Sequence, residues 1–194
     1  MHSLARTARR GTYEEFLSRY EPGAARAADS TGRTLLHAAL ANGDLHARVA
    51  IAVRLLDDGA DAAALSGAEG FTTLHVLLGR GKHDFPGEAP LLERLLDGGA
   101  DVNRAVERFG TPLHTAARQF AFTDAALAPF YDVLFARPDL GRVSKSRLGH
   151  ATLRHALDLA GADGRPPYLD TARQMLPLRA GLVARIEEYL GVDR

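Results

Sequence analysis

Several residue types that carry specific chemistry are absent or scarce in this chain of 194 residues. It contains no cysteine, no tryptophan and two methionines, and 7% of its residues are aromatic. The absence of cysteine excludes disulfides, thiolate nucleophiles and cysteine-ligated zinc fingers. No apolar stretch reaches the length of about 18 residues that a membrane-spanning helix needs, and no apolar run of a secretory signal follows the basic residues near the start. We therefore expect a soluble, cytoplasmic protein.

The chain also lacks an excess of either charge. Its 24 basic residues balance 24 acidic ones, so composition gives no reason to expect binding to nucleic acid or to a membrane. Apolar residues make up 46% of the chain and fall in periodic clusters, which argues against disorder. Only Lys82 and Lys145 among the 24 cations are lysine, and this bias towards arginine is typical of a GC-rich bacterial genome.

Two short motifs recur along the chain at a spacing of about 40 residues. The first joins a threonine to a histidine three residues later, at residues 34–37, 72–75 and 111–114, and a weaker copy carries Arg154 in place of the histidine. The second is a leucine pair followed by Gly-Ala-Asp, at residues 55–61 and 95–101. Threonine favours the position before a helix, and glycine favours the end of one. The two motifs therefore predict successive pairs of helices.

These motifs resemble the ankyrin repeat, in which a T-P-L-H turn opens each unit of about 33 residues. The resemblance implies an all-α solenoid of stacked helix-turn-helix units with short hairpin or turn fingers. It also implies that the motif histidines are structural, because each binds the turn of a neighbouring unit. We expect a single domain over residues 1–194. It would contain an N-terminal helical cap (1–28), unit one (29–66), unit two (67–105), unit three (106–145), a degenerate unit four (146–178) and a C-terminal capping helix (179–194).

The resemblance places recognition on the finger tips and on the exposed face of the first helix of each unit. In the stacked repeat these positions form one concave face. Arginine and aromatic residues are enriched at the energetic centres of interfaces, so we predict that the concave face binds a protein with an acidic surface, with Phe71 as an apolar anchor. A bacterial inhibitor of the immunity type and a scaffold are both compatible with it, and we expect the free protein to be monomeric. The predicted protein-binding residues are Arg33, Asn42, Glu69, Phe71, Arg80, Glu107, Arg108, Arg118, Gln119, Arg147 and His150.

An alternative function uses residues 79–90, whose glycines and prolines predict a loop between the helices of unit two. His83 and Asp84 lie in it, and a histidine beside a carboxylate can act as a general base. No serine or cysteine nucleophile accompanies them, and no glycine-rich phosphate-binding motif is present. The sequence thus favours a binding protein without catalytic residues, metal or cofactor, and leaves an enzyme or small-ligand binder as the alternative.

Overall fold

The computed structural model describes residues 2–106, 109–140 and 179–190. Over these residues the chain is mostly helical and contains one antiparallel sheet of two strands. The predicted α-rich character is therefore confirmed. Within the same residues, no helix is both long enough and apolar enough to cross a membrane. The chain divides into two compact units, Met1–Thr115 and Ala116–Arg194.

The first unit contains most of the described helices and the sheet. Its elements in chain order are α1 (His2–Arg10), α2 (Tyr13–Leu17), a 3-10 turn (Pro22–Ala24), α3 (Leu35–Leu40), α4 (Leu45–Asp57), β1 (Leu65–Ser66), β2 (Phe71–Thr72), α5 (Thr73–Leu78) and α6 (Phe85–Asp97). A further helix, α7 (Pro112–Ala117), begins in this unit and ends in the second. The two strands pair Leu65 with Thr72 and form a short hairpin before α5.

A six-residue helix followed by a thirteen-residue helix occurs twice, as α3–α4 and as α5–α6. Each short helix starts after a threonine, Thr34 or Thr72, whose hydroxyl accepts the backbone amide three residues later. Each long helix is followed by a glycine with positive φ, 85° at Gly59 and 94° at Gly99, a conformation that side chains with a Cβ rarely adopt. The threonine caps and glycine ends predicted from the two motifs are confirmed at these positions.

The loop predicted over residues 79–90 is wrong in its second half, because α6 already begins at Phe85. The carboxylate of Asp84 caps this helix by accepting the backbone amide three residues on, at 3.3 Å. Pro86 fits the first turn, where its missing N–H would have no helical partner. Pro90 lies inside the helix, one turn further along. The prolines therefore mark the start of a helix here and do not exclude one.

Apolar side chains from facing helices form the core of the first unit. Every residue of α3 is buried, and α3 packs against α1, α4 and α5. The predicted N-terminal cap contributes Phe16, which is fully buried and stacks on Tyr20 at a ring distance of 4.7 Å. The longer helices and α5 add further fully or almost fully buried residues: Ile51, Leu55, Leu74, Leu77, Leu78, Leu91, Leu92 and Leu95.

The second unit contains α8 (Asp124–Phe135) and α9 (Ala180–Leu190), which pack against each other. Arg179, just before α9, donates to the backbone carbonyls of Ala117, Gln119 and Phe122 at 2.8 to 3.1 Å. The predicted C-terminal helix is confirmed over residues 180–190. The degenerate unit four, predicted over residues 146–178, lies outside the described residues.

Candidate functional site

A groove of about 680 Å³ lies on the first unit and is the main candidate for a binding site. Its walls come from α1, from the turn before α3, from α3, from the hairpin, from the middle of α5 and the two residues after it, and from Phe109 and Thr115. The first helices of the two pairs therefore lie in its wall beside the hairpin. The repeat resemblance predicts recognition at such a combination of fingers and first helices.

Positive charge dominates the lining of this groove. Five arginines line it: Arg6, Arg9, Arg10, Arg33 and Arg80. Within the described parts of the chain none of the five forms an ion pair with a carboxylate. Three of them belong to α1, which has no acidic residue. The groove thus concentrates positive charge on a chain whose net charge is zero.

The single carboxylate in the lining, that of Asp29, is already engaged by its own turn. It accepts hydrogen bonds from the amide and hydroxyl of Thr31 at 2.8 and 2.6 Å, and from the amide of Arg33 at 3.1 Å. The side-chain bond from Thr31 is the main reason that the pKa of Asp29 lies below its usual value. Its negative charge therefore offsets only a small part of the arginine charge in the groove.

An aromatic pair supplies the apolar part of the groove. The rings of Phe71 and Phe109 meet edge to face, with centroids 4.9 Å apart, and Phe109 remains 42% exposed. Phe71 also lies edge-on to the imidazole of His75, at 6.2 Å. Such a pair presents a large apolar contact surface with little conformational freedom to lose on binding.

Arg80, two residues after α5, is half-buried, whereas the other four arginines of the groove are exposed. Its Nε atom is buried and has no hydrogen-bond partner among the described residues. Burial, followed by repulsion from Arg48 and Arg9, lowers the pKa of Arg80 below its usual value. The side chain is thus held partly away from water and next to two other cations.

Both motif histidines in the wall contact the threonine that precedes their helix, but only His75 reaches the following turn; Nε2 of His37 is buried without a hydrogen-bond partner among the described residues. The hydroxyl of Thr72 donates to Nδ1 of His75 at 2.8 Å, and Nε2 of His75 donates to the carbonyl of Gly110 at 2.9 Å. Burial lowers the pKa of His75, which favours this neutral form. His37 forms the same contact with Thr34, and burial lowers its pKa too. Among the residues that the structure describes, no cluster of side chains could hold a metal ion.

His83, the centre of the alternative site, belongs to a buried ionic cluster. Its side chain is inaccessible, and Nδ1 donates to the carboxylate of Glu88 at 2.7 Å. The same carboxylate binds the guanidinium of Arg48 on α4 at 2.5 Å, and both of these side chains are almost completely buried. Arg48 also donates to the carbonyls of Asn42 and Lys82. This cluster joins α4 to α6 and leaves His83 with no exposed side-chain surface for a substrate.

Of the predicted binding residues, the structure brings Arg33, Phe71 and Arg80 together in the groove. Glu69 is exposed in the hairpin turn but does not line the groove, while Arg118 is exposed and Gln119 half-buried after α7 in the second unit. The residues Glu107, Arg108, Arg147 and His150 lie outside the described part of the chain.

The expectation that Asn42 lies on the binding surface is corrected by the structure, because this residue is only 1% exposed. Its amide donates to the carbonyls of Ala8 and Gly11 at 2.9 and 3.0 Å, and so ties the end of α1 to α3. Sequence reasoning also missed the three arginines of α1 and Phe109. The three arginines of α1 could have been identified from the sequence, because they lie in a short predicted helix that contains no acidic residue.

The comparisons with known proteins give a likeness of fold alone. No protein-family model and no curated protein sequence matches the chain. A solved structure of a functionally unknown protein from Leptotrichia buccalis is similar, with a TM-score of 0.58 and 19% sequence identity. The match covers 83% of this chain and 96% of that one.

Proposed function

We propose that this chain is a non-catalytic protein-binding module of the ankyrin type, and that its groove recognises an acidic protein surface. The observation that carries the proposal is a groove lined by five arginines, none of which forms an ion pair within the described residues, beside an aromatic pair of half-buried Phe71 and exposed Phe109. Arginine and aromatic side chains contribute most to binding when a partner removes them from water.

The two helix pairs support the ankyrin part of the proposal. Both have the same helix lengths, the same threonine–histidine contact at the start and a positive-φ glycine at the end. The bond from His75 to Gly110 joins one pair to the turn before the following helix. Repeated units of this type each bury one face against a neighbour, and their fingers and first helices form an extended surface.

The alternative function at residues 79–90 has less support. A general base must come within hydrogen-bond reach of a substrate proton, but His83 has no exposed side-chain surface and donates to Glu88. Asp84 caps α6. Both residues thus have a structural task that accounts for their presence in the sequence.

Charge reversal in the groove tests the proposed function. We expect the wild-type protein to retain a specific partner from an extract of its native host, and the Arg33→Glu/Arg80→Glu double variant to lose it. The matched control is Arg19→Glu/Arg26→Glu, which reverses two exposed arginines outside the groove. Retention of the same partner by both double variants would contradict binding through the groove. An inhibitor would also suppress the activity of its partner in the purified complex, whereas a scaffold would not.

A further inference from the structure

Arg80 and Arg9 line the same groove, and the Nε atom of Arg80 is buried without a hydrogen-bond partner among the described residues. Building on the proposed function, we infer that these two arginines form the subsite for a carboxylate of an extended acidic segment in the partner protein. The segment also places a large apolar side chain against Phe71 and Phe109. The electrostatics and the dimensions of the groove support this inference independently of each other.

The electrostatic support is that no carboxylate among the described residues forms an ion pair with Arg80. The nearby cation Arg48 is matched by Glu88, which is itself buried and already accepts two further hydrogen bonds. Repulsion from Arg48 and Arg9 is one cause of the lowered pKa of Arg80. A carboxylate can accept two parallel N–H bonds from a guanidinium, so a bound acid would supply the missing counter-charge.

The distance between Phe71 and Arg80 sets the spacing between the acidic and the apolar residue of the bound segment. Phe71 lies just before α5 and Arg80 just after it. The six residues of α5 span about 9 Å at a helical rise of 1.5 Å. The more extended residue steps on either side of it add roughly 3 Å each, so the two backbone positions lie on the order of 15 Å apart. An extended peptide covers that distance in about four to five residues, at roughly 3.3 Å each. We therefore expect the acidic residue and the apolar residue of the segment to lie about four to five positions apart.

A peptide fits these features better than a nucleic acid does. A nucleic acid presents a phosphate at every nucleotide and is bound by a surface of extended positive charge. Here a carboxylate, that of Asp29, lies in the lining, and an aromatic pair supplies the apolar part of the groove. The molecule as a whole carries no excess positive charge.

Selection from a phage-displayed library of random dodecapeptides on the immobilised full-length protein tests this inference. We expect enrichment of Asp or Glu about four to five positions from Leu, Phe or Tyr. Synthetic versions of the enriched peptides should bind about tenfold more weakly to Arg80→Gln and to Arg9→Gln than to wild type, with Arg19→Gln as the unchanged control. Binding should also weaken between about 0.05 and 0.3 M NaCl, as screening of a charge pair requires.

Thermal melting of the free variants separates this subsite from a structural role of Arg80. Since the substitution relieves repulsion between cations, Arg80→Gln should melt at or above the wild-type temperature although it binds less well. A lowered melting temperature with unchanged peptide affinity would overturn the inference.

The remaining outcomes of the peptide selection also decide whether the carboxylate subsite exists. Enriched peptides that lack acids, yet lose affinity when Phe71 is replaced by alanine, would refute the carboxylate subsite and leave the proposed function intact. A selection that yields no binding peptide would refute the subsite, whereas the proposed function would still be judged by partner retention. Tighter binding of a single-stranded oligonucleotide than of any selected peptide would replace the peptide with a nucleic acid.

Discussion

Neutralising Glu88 should destabilise the protein far more than breaking an exposed ion pair between the same two helices. Glu88 and Arg48 are 0% and 1% exposed, so neither charge is solvated by water. In Glu88→Gln, the guanidinium keeps its bonds to the carbonyls of Asn42 and Lys82 but loses its counter-charge. Removing one partner of a buried pair costs about 3 to 5 kcal/mol. A chain of this size melts about 2 to 4 °C lower for each kcal/mol, so we expect a decrease of about 10 °C.

The exposed pair of Arg94 and Asp57 provides the control, because it also joins α6 to α4. Both of its side chains are about half exposed, at 42% and 55%, and such pairs contribute about 0 to 1 kcal/mol. We expect Arg94→Gln to shift the melting temperature by no more than about 3 °C. Thermal and urea unfolding followed by circular dichroism measure both variants.

The double variant Arg48→Met/Glu88→Leu completes this test. Apolar residues of similar volume remove both charges together, and such replacements are often neutral or stabilising. The double variant removes the uncompensated charge but leaves His83 and the carbonyls of Asn42 and Lys82 without their partners, so it should recover only part of the stability lost in Glu88→Gln. An unfolding free energy of Glu88→Gln within about 1 kcal/mol of wild type would show that Arg48 is not left as an uncompensated buried charge.

Three further outcomes follow from the structure. Burial lowers the pKa values of His37 and His75 from 6.5, so protonation favours the unfolded chain. As the pH decreases from about 7, the free energy of unfolding measured by urea titration should therefore decrease by at most about 1.4 kcal/mol per pH unit for each histidine. Gly110 has φ of 73°, and an added Cβ would lie 2.8 Å from the ring of His114. Gly110→Ala should therefore cost about 1 to 3 kcal/mol and lower the melting temperature by several degrees, whereas an unchanged melting temperature would show that the substitution causes no strain. Asn42→Ala leaves two carbonyls at the end of α1 without their donor. It should lower the free energy of unfolding in urea by about 1 to 3 kcal/mol and speed hydrogen exchange in α1, whereas unaltered exchange would show that the side chain does not stabilise this helix.

Local patterns in the sequence predicted the features that depend on neighbouring residues. Thr34 and Thr72 cap their helices through contacts only three residues long, and Gly59 and Gly99 end helices because of their own backbone freedom. These features need no knowledge of the tertiary structure, so motif spacing was sufficient to place them. The groove members Arg33, Phe71 and Arg80, by contrast, were chosen only through the resemblance to a repeat family.

The parts that sequence reasoning missed depend on contacts between distant segments. Arg48 and Glu88 are 40 residues apart, and nothing near either of them indicates the ion pair. Asn42 was expected on the surface, but the packing of α1 covers it, 31 to 34 residues away in sequence. The same packing places the arginines of α1 beside Arg80 in the groove lining. Charge and polarity alone do not show which helix covers which face.

Photo-cross-linking from inside the groove tests the central claim most directly. Val76 lines the groove, whereas Leu17 is 38% exposed on α2 and lies outside it. A benzoyl-phenylalanine incorporated at position 76, and irradiated in the native host, should form an adduct with one acidic protein, and Arg80→Gln should abolish that adduct. An adduct that forms equally from position 17, or that contains nucleic acid in place of protein, would contradict the account.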